Sequence, residues 1–523
     1  MSAASAQSKI TYTSADADMT EFHKSFDAAL KAVRAKAGRT HPLYIDGRPV
    51  EAKETFEKVS PIDTTRVLGR FQAAGAEHVD AAVKAARAIQ KAWGALPWQE
   101  RVQTLRKASH HIRARKFEIA AVVALEVGKS RLEAMGDTEE AADLIDYYCK
   151  QVEAADGYVK PLGKLMPNEN TRSVLRPYGV FACIAPFNFP ISLSTGMSAA
   201  ALLGGNAVVY KPSIEAPWTG LLLWECFKAA GIPGGLFQYL TGGGATTGDA
   251  LWRHPGVDGV VFTGSKEVGL RVYREFSARY VKPVLMELGG KNPTYVAETA
   301  NLDDAASGVM KSAFSLQGQK CSACSRVYVH EKVYDAFVAK LLEKTKAIKI
   351  GDPTEKDVYF GPVVHERALK TFLEAAASAR KGGRVLLGGE RLKGGLFDKG
   401  WFAAPTIAEL PLGHEIFMRE LFVPFLAVGK VESLDQMIAE ANKADYGLTA
   451  GIFTAKKDEI EKFFDEVQSG VCYANRPTGA TTGAWPGVQA FCGWKGSGST
   501  GKGGCGPYYV SQFMREQSRT IME

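Results

Sequence analysis

The sequence predicts an α/β chain built as two α/β units in tandem, each a parallel or mixed sheet covered by helices. Three observations predict it. Apolar residues make up 46% and charged residues 23% of the 523, which is enough for sizeable cores and excludes a disordered chain. From Val180 short β-rich runs alternate with helical patterns, with Gly, Pro or Asn at each join. Such alternation implies a parallel sheet covered on both faces. After Pro293 the alternation resumes, which makes the second unit. At roughly 150 residues per domain the length suits about three domains.

In chain order, the first 45 residues are polar and Ala-rich and read as a loosely packed arm with one helix over Met19–Lys36. Apolar residues at three- and four-residue spacing predict helices from Glu77 to Val152. The first alternation then runs VFACIAP, a helix over Ser194–Leu203, AVVYK, a helix over Trp218–Ala230, LFQYL, a helix over Thr246–Arg253, GVVFTG, a helix over Val268–Tyr280, and PVLMEL. The second runs PTYV, a helix over 302–316, RVYVH, a helix over 332–347, RVLLGG, LTAGIFT, a helix over 456–467, and GVCYAN. A Gly-rich loop, GSGSTGKGGCG, precedes a tail, VSQFMREQSRTIME, suited to add a strand or an arm to a partner. No fixed-period repeat and no low-complexity segment interrupts this order.

Sixty-four basic against 57 acidic residues leave a formal charge of +7, slight for this length, with no run of like charges. The composition therefore offers no footprint for nucleic acid or for a membrane surface. The first residues, MSAASAQSKITYTSADADMTEF, have no apolar run and carry acids early, so the expectation is a cytoplasmic protein without a leader. The apolar stretch from Tyr178 to Leu203 is broken by Pro186, Asn188 and Pro190 and makes a poor membrane span. Eight cysteines are too sparse for a disulfide scaffold.

Among those cysteines, Cys321 in QGQKCSACSR follows a helical run and a turn and precedes a strand. Lys320 is adjacent and would favour the reactive thiolate. The plain alternative is that Cys321 is core filler, as buried thiols usually are. A Cys321-x-x-Cys324 redox pair is a second alternative, and a zinc half-site a third, although no second pair at zinc spacing exists and no metal is expected. Glu287, in MELGGKNP, sits at the end of a strand beside a Gly-Gly turn, where parallel sheets bind ligands. Asn188, in APFNFP, is confined by two prolines and two phenylalanines and can offer its amide to an oxyanion, or serve simply as a turn residue.

Together, APFNFP, NAVVYKPS, FTGSKEVG, MELGGKNP, GQKCSACSR, RELF, YGL and GWKGSG, in this order and spacing, resemble the aldehyde dehydrogenase superfamily from about residue 40 onward. The resemblance implies a Rossmann-like cofactor domain (1–156 and 177–286), a catalytic domain (287–496) and an oligomerisation arm with tail (157–176 and 497–523). It implies Cys321 as the nucleophile, Glu287 as the base that activates water, and Asn188 with the Cys321 main-chain N–H as the oxyanion hole. NAD is the implied cofactor, held by Ala185, Pro186, Phe187, Lys211, Ser213, Gly264, Ser265, Gly269, Leu288, Glu420 and Phe422, with Gly264 and Gly269 permitting close approach. Ile214 stands where a ribose-binding Glu is common, so NADP stays open, and Val423 stands where Gly is usual, so a somewhat different shape is expected at the nicotinamide end. TGGGATTG, although glycine-rich, is expected to be a loop and not the dinucleotide turn. A homodimer or higher homo-oligomer is implied as well.

Within the superfamily, HPLYIDGRPV, GQKCSACSRVYVHEKVYDAF, NRPTGATTGAWPG and GKGGCGPYY resemble the group that oxidises L-glutamate γ-semialdehyde, the open form of 1-pyrroline-5-carboxylate. That places the substrate carboxylate on Ser322, Gly479 and Ala480, and its aliphatic chain between Phe187, Phe189 and Phe491, with Asp143 near the α-amino group. Cys492 and Trp494 depart from the group's pattern. Other semialdehydes or simple aldehydes, a CoA-acylating enzyme, a thiol–disulfide oxidoreductase and a non-catalytic scaffold are the alternatives.

Overall fold

A computed structural model describes residues 19–523. Two seven-stranded sheets organise it. The first runs Val284–Glu287, Gly259–Thr263, Val180–Ile184, Ala207–Lys211 and Phe237–Tyr239, all parallel, and continues antiparallel through Leu43–Ile45 and Arg48–Val50. The second runs Arg384–Leu387, Thr406–Glu409, Phe425–Val431, Cys324–His330, Asn292–Val296, Thr449–Phe453 and Val471–Ala474, parallel except for its first pair. Every residue of Ala207–Lys211, Gly259–Thr263, Asn292–Val296 and Thr449–Phe453 is buried. A parallel strand covered on both faces needs that, and the continuous Val, Tyr, Phe and Thr content supplies it.

The core divides where the chain crosses from one sheet to the other. One apolar cluster runs unbroken by the others up to Leu288 and takes only Val364 from the following stretch, while two others begin at Tyr295 and Val296. The first cluster also takes in Cys505, Tyr509, Val510, Phe513 and Met514, residues expected to belong to the arm. Only Met514–Met522 joins the arm sheet, antiparallel to Glu169–Pro177 of its own chain, with Val159–Pro161 on the far side. The tail therefore completes its own arm before it meets any partner.

Other expectations need correction. The N-terminal helix, Thr20–Arg34, is docked and not loose, because Phe22, Phe26, Leu30 and Val33 form one buried stripe. Val67–Ala73 pairs with Arg39–His41 and Glu54–Val59 in a small sheet that the alternation did not signal. Helices Glu366–Gly382 and Leu434–Asn442 and strands Thr406–Glu409 and Phe425–Val431 also went unread. The helix expected to run to residue 316 stops at Phe314, since Leu316 and Gln317 take positive φ. The TGGGATTG segment makes one wide helical turn over Gly244–Gly248.

Candidate active site

Glu287 ends the edge strand of the first sheet, and the Gly289–Gly290 turn carries the chain into Asn292–Val296 of the second. The segment 497–499 lies along that edge: Leu288 N–H donates to Ser497 O (2.8 Å) and Met286 N–H to Ser499 Oγ (3.0 Å). Cys321 arrives from the opposite side, after the tight turn at Leu316–Gly318 and just before strand Cys324–His330. Asn292, which motif reasoning passed over, ties the two pieces. Its Nδ2 donates to Cys321 O (2.7 Å) and Ala323 O (2.9 Å), while its Oδ1 accepts from Thr449 N–H (3.0 Å).

Gly290 is the tightest point of this junction: a Cβ there would lie 2.4 Å from Cys321 O. Main chain cannot step aside as a side chain can, so Gly290→Ala has to displace the nucleophile loop. The expected outcome is a destabilisation of about 1–3 kcal/mol by thermal unfolding, together with loss of most activity.

The electrostatics around Cys321 favour neutral groups. Burial pushes the Glu287 carboxyl well above the usual carboxylate range, opposed by the Gly493 N–H. Glu287 Oε2 is buried with no hydrogen-bond partner. Burial pushes the Cys321 thiol up to about 12, and the negative charges of Glu287 and Glu420 add to this, while the N–H groups of Ser322 and Cys321 oppose it. Lys320 does not supply the charge expected of it, because its Nζ is bound to Glu133 at 2.8 Å and neutralised there. Cys324 is buried elsewhere, against Thr294 Oγ1 (3.2 Å).

Cys321 and Glu287 line a cavity of about 720 Å³, a volume suited to a small-molecule ligand. Phe189, Ser322 and Phe491 line it as well, and Asn188 is buried beside Phe189. Phe187 does not line it. Instead its ring packs edge-on against Phe422 (5.9 Å, 80°). Nor do Gly479 and Ala480. Ala480 N–H donates to Gly308 O (3.0 Å) and Gly479 N–H to Arg476 O (3.3 Å), so neither amide serves a ligand. The chain carries a second Thr-Gly-Ala four residues later; of the first copy only Thr478 lines the cavity, whereas Thr482, Gly483 and Ala484 all do. Asp143 is also displaced from its expected role. It accepts from Arg113 (2.9 Å) and from Trp485 Nε1 (2.8 Å), while Glu140, three residues earlier on helix Arg131–Ala154, lines the cavity.

Most residues expected at the cofactor gather at the carboxyl ends of the first sheet's strands, with Gly269 in the helix Lys266–Phe276 and Glu420 and Phe422 just before strand Phe425–Val431 of the second sheet. Ala185 N–H donates to Lys211 O (3.1 Å), which joins the ends of two neighbouring strands next to Pro186. Lys211 is buried and its Nζ donates to Pro212 O (3.0 Å); burial pulls its pKa down to about 8. Ser213 Oγ accepts from Glu215 N–H (3.2 Å), and Glu215 pairs with the buried Lys58 (2.6 Å). Ser265 caps helix Lys266–Phe276, whose N-terminus carries main-chain donors suited to a pyrophosphate. Glu420 Oε1 accepts from Gly290 N–H (2.8 Å), and burial raises its pKa to about 7.

Two of the expected glycines are also required by packing within the chain. A Cβ on Gly264 would sit 2.5 Å from the Phe262 ring, and one on Gly269 would sit 2.4 Å from Leu288 Cδ2. The cap of Lys266–Phe276, the Lys211 loop and the Glu420–Gly290 contact still present the donors and acceptors a dinucleotide requires.

The aldehyde dehydrogenase family model matches residues 49–518. A 1-pyrroline-5-carboxylate dehydrogenase from Geobacillus sp. (strain WCH70) is 36% identical over 508 residues, covering 96% of each chain. 1-Pyrroline-5-carboxylate dehydrogenase 2 of Halalkalibacterium halodurans is 36% identical over 515 residues, covering 97% of this chain and 98% of its own. Among solved structures, 1-pyrroline-5-carboxylate dehydrogenase from Thermus with bound NAD superposes with a TM-score of 0.92 at 35% identity, covering 96% of this chain and 97% of that one.

Proposed function

Since the chain belongs to the aldehyde dehydrogenase family, we propose that it oxidises L-glutamate γ-semialdehyde to glutamate with NAD. The observation that carries the substrate is the cavity of Cys321. It is apolar at Phe189 and Phe491, yet is also lined by Ser322, Gly483 and Ala484 and by Glu140, a carboxylate distinct from Glu287 at the reacting end, from Glu133, which Lys320 neutralises, and from Asp357. An aldehyde with an aliphatic chain, an ammonium and a carboxylate satisfies all three features. The Geobacillus and Thermus relatives named above point the same way.

The roles follow from chemistry. Cys321 reacts as the thiolate, its proton passing to solvent, and Sγ adds to the aldehyde carbon. The negative charge that forms on oxygen is met by the Asn188 amide and the Cys321 main-chain N–H. NAD, when bound, supplies the acceptor for the hydride that leaves that carbon. Glu287 then takes a proton from water, whose oxygen attacks the Cys321 thioester; the C–S bond breaks and the acid departs. Ser322 and the Gly483–Ala484 main chain hold the α-carboxylate through fixed donors, and Glu140 holds the ammonium.

NAD is the cofactor that the solved Thermus relative contains. Glu215, the carboxylate nearest Ile214, is neutralised by Lys58, so NADP is not repelled there. No helix among the described residues is long and apolar enough to cross a membrane, which supports a cytoplasmic enzyme. The arm sheet leaves Leu162, Leu165 and Met166 exposed, which supports at least a homodimer.

The test is a substrate screen. Initial NADH formation is compared for glutamate semialdehyde, succinate semialdehyde, benzaldehyde and an aliphatic aldehyde of similar length. The first should lead in kcat/KM by on the order of 100-fold, since a site built for charged groups leaves them unpaired with the others. If a neutral aldehyde leads, the Ser322, Gly483–Ala484 and Glu140 anchors are wrong.

A further inference from the structure

Asp143 and Trp485 make a contact that no step of the reaction uses. Trp485 directly follows Gly483 and Ala484, the main chain that lines the cavity. Its indole N–H donates to Asp143 Oδ2 at 2.8 Å. The other carboxylate oxygen, Oδ1, accepts from Arg113 at 2.9 Å. Arg113 is anchored in turn by Asp146 (2.7 Å), which accepts from Ser109 Oγ (2.8 Å). One helical turn beyond Asp143, Tyr147 packs flush on Gly487, where a Cβ would lie 2.8 Å from its ring and where φ is +74°. Glu140, Asp143 and Tyr147 thus lie on adjoining turns of helix Arg131–Ala154. The first faces the cavity, and the other two grip the loop that follows its wall.

From this geometry we propose that Asp143 and Trp485 are positioning residues for substrate recognition: the Asp143–Trp485 hydrogen bond sets where the Gly483–Ala484 main chain meets the substrate carboxylate. The physical case is one of competing freedom. A loop carrying Gly483 and Gly487 has wide backbone freedom, whereas an amide that must meet a carboxylate needs its position held within a fraction of an ångström. A charge-assisted bond from a helix of 24 residues supplies that hold. The hydrogen bonds described above join Asp143 to Arg113 and Trp485 and involve none of Cys321, Glu287 and Asn188, so the chemical step is not expected to depend on them. The proposal rests on the assignment of Gly483–Ala484 to the substrate carboxylate.

The test compares Trp485→Phe, Asp143→Ala, Asp143→Asn and the Trp485→Phe/Asp143→Ala double variant, with glutamate semialdehyde and with an aliphatic aldehyde lacking a carboxylate. Trp485→Phe and Asp143→Ala should each raise KM for glutamate semialdehyde about tenfold, the size of one charge-assisted hydrogen bond lost. The kcat, the KM for NAD and the KM for the uncharged aldehyde should stay within about twofold. Asp143→Asn keeps an acceptor for the indole and should restore most of the affinity. The double variant should be no worse than either single one, because both remove the same bond. Equal KM shifts for both aldehydes, a loss confined to kcat, an Asp143→Asn as poor as Asp143→Ala, or additive effects would each overturn the proposal. Should Trp485→Phe fail to fold, the Asp143 pair decides alone. If the wild-type enzyme does not prefer the carboxylated aldehyde, it is the substrate assignment that fails. If it does and the variants leave KM unmoved, it is the clamp that fails.

Discussion

Replacing Cys321 with alanine should abolish turnover, lowering kcat by on the order of ten-thousand-fold or more, as expected when the nucleophile of a covalent mechanism is removed. NAD binding, followed by fluorescence titration, should persist, since Lys211, Ser265 and Glu420 are untouched. The control is Cys324→Ser. Cys324 is buried against Thr294, so its loss should cost a few-fold at most, through packing. A thiol–disulfide oxidoreductase would show the reverse pattern, with Cys324→Ser as damaging as Cys321→Ala. Turnover surviving in Cys321→Ala would remove the covalent mechanism altogether.

Glu287→Gln should separate the two halves of the reaction. Glutamine cannot take a proton from water, so the thioester should accumulate, and mixing enzyme, NAD and aldehyde should give a burst of about one NADH per active site. Steady-state turnover should fall by roughly 10²–10⁴-fold, the span associated with a lost general base. The pH dependence has a definite sign. Burial holds the Glu287 carboxyl well above the usual carboxylate range, favouring the neutral acid. Only the carboxylate acts as base, so wild-type deacylation should rise with pH through that raised pKa and fall below it. Cys321, pushed up to about 12, imposes a rise in the same direction on the acylation burst. Glu287→Gln should lose the pH dependence of deacylation. Full steady-state turnover in Glu287→Gln, or a flat wild-type profile, would rule out Glu287 as the base.

How much of this was legible in the chain differs from residue to residue. Cys321, Glu287 and Asn188 each sit just past a strand or helix in a segment stiffened by Gly or Pro, and such punctuation is local. The parallel sheets were legible for the same reason, since fully buried strands read as continuous β-rich runs. The docking of Thr20–Arg34 was misjudged because an Ala-rich, polar composition hid a four-residue stripe of Phe, Leu and Val. Helix Glu366–Gly382 and strands Thr406–Glu409 and Phe425–Val431 were missed because no motif marks those stretches.

The finer assignments failed where two candidates lay within one turn or one repeat of each other. Glu140 and Asp143 are three residues apart, so both point to the same side of their helix. Only the position of Trp485 shows which of them meets the cavity and which meets the loop. The two Thr-Gly-Ala copies, 478–480 and 482–484, are identical as text. What separates them is Gly308, far away in sequence, whose carbonyl takes the Ala480 N–H and leaves the second copy at the cavity wall. Lys320 adjoins Cys321, and adjacency suggested a thiolate. Glu133, brought in from helix Arg131–Ala154, neutralises that lysine.

By itself, then, the sequence determined the family and the α/β architecture and singled out the three groups proposed to react, because these depend on residue type and local backbone. The tertiary structure alone decided which amides, carboxylates and lysines remain available to a ligand. Availability is what is left after long-range partners have been satisfied, and those partners, Gly308, Glu133 and Trp485, are brought together only by folding.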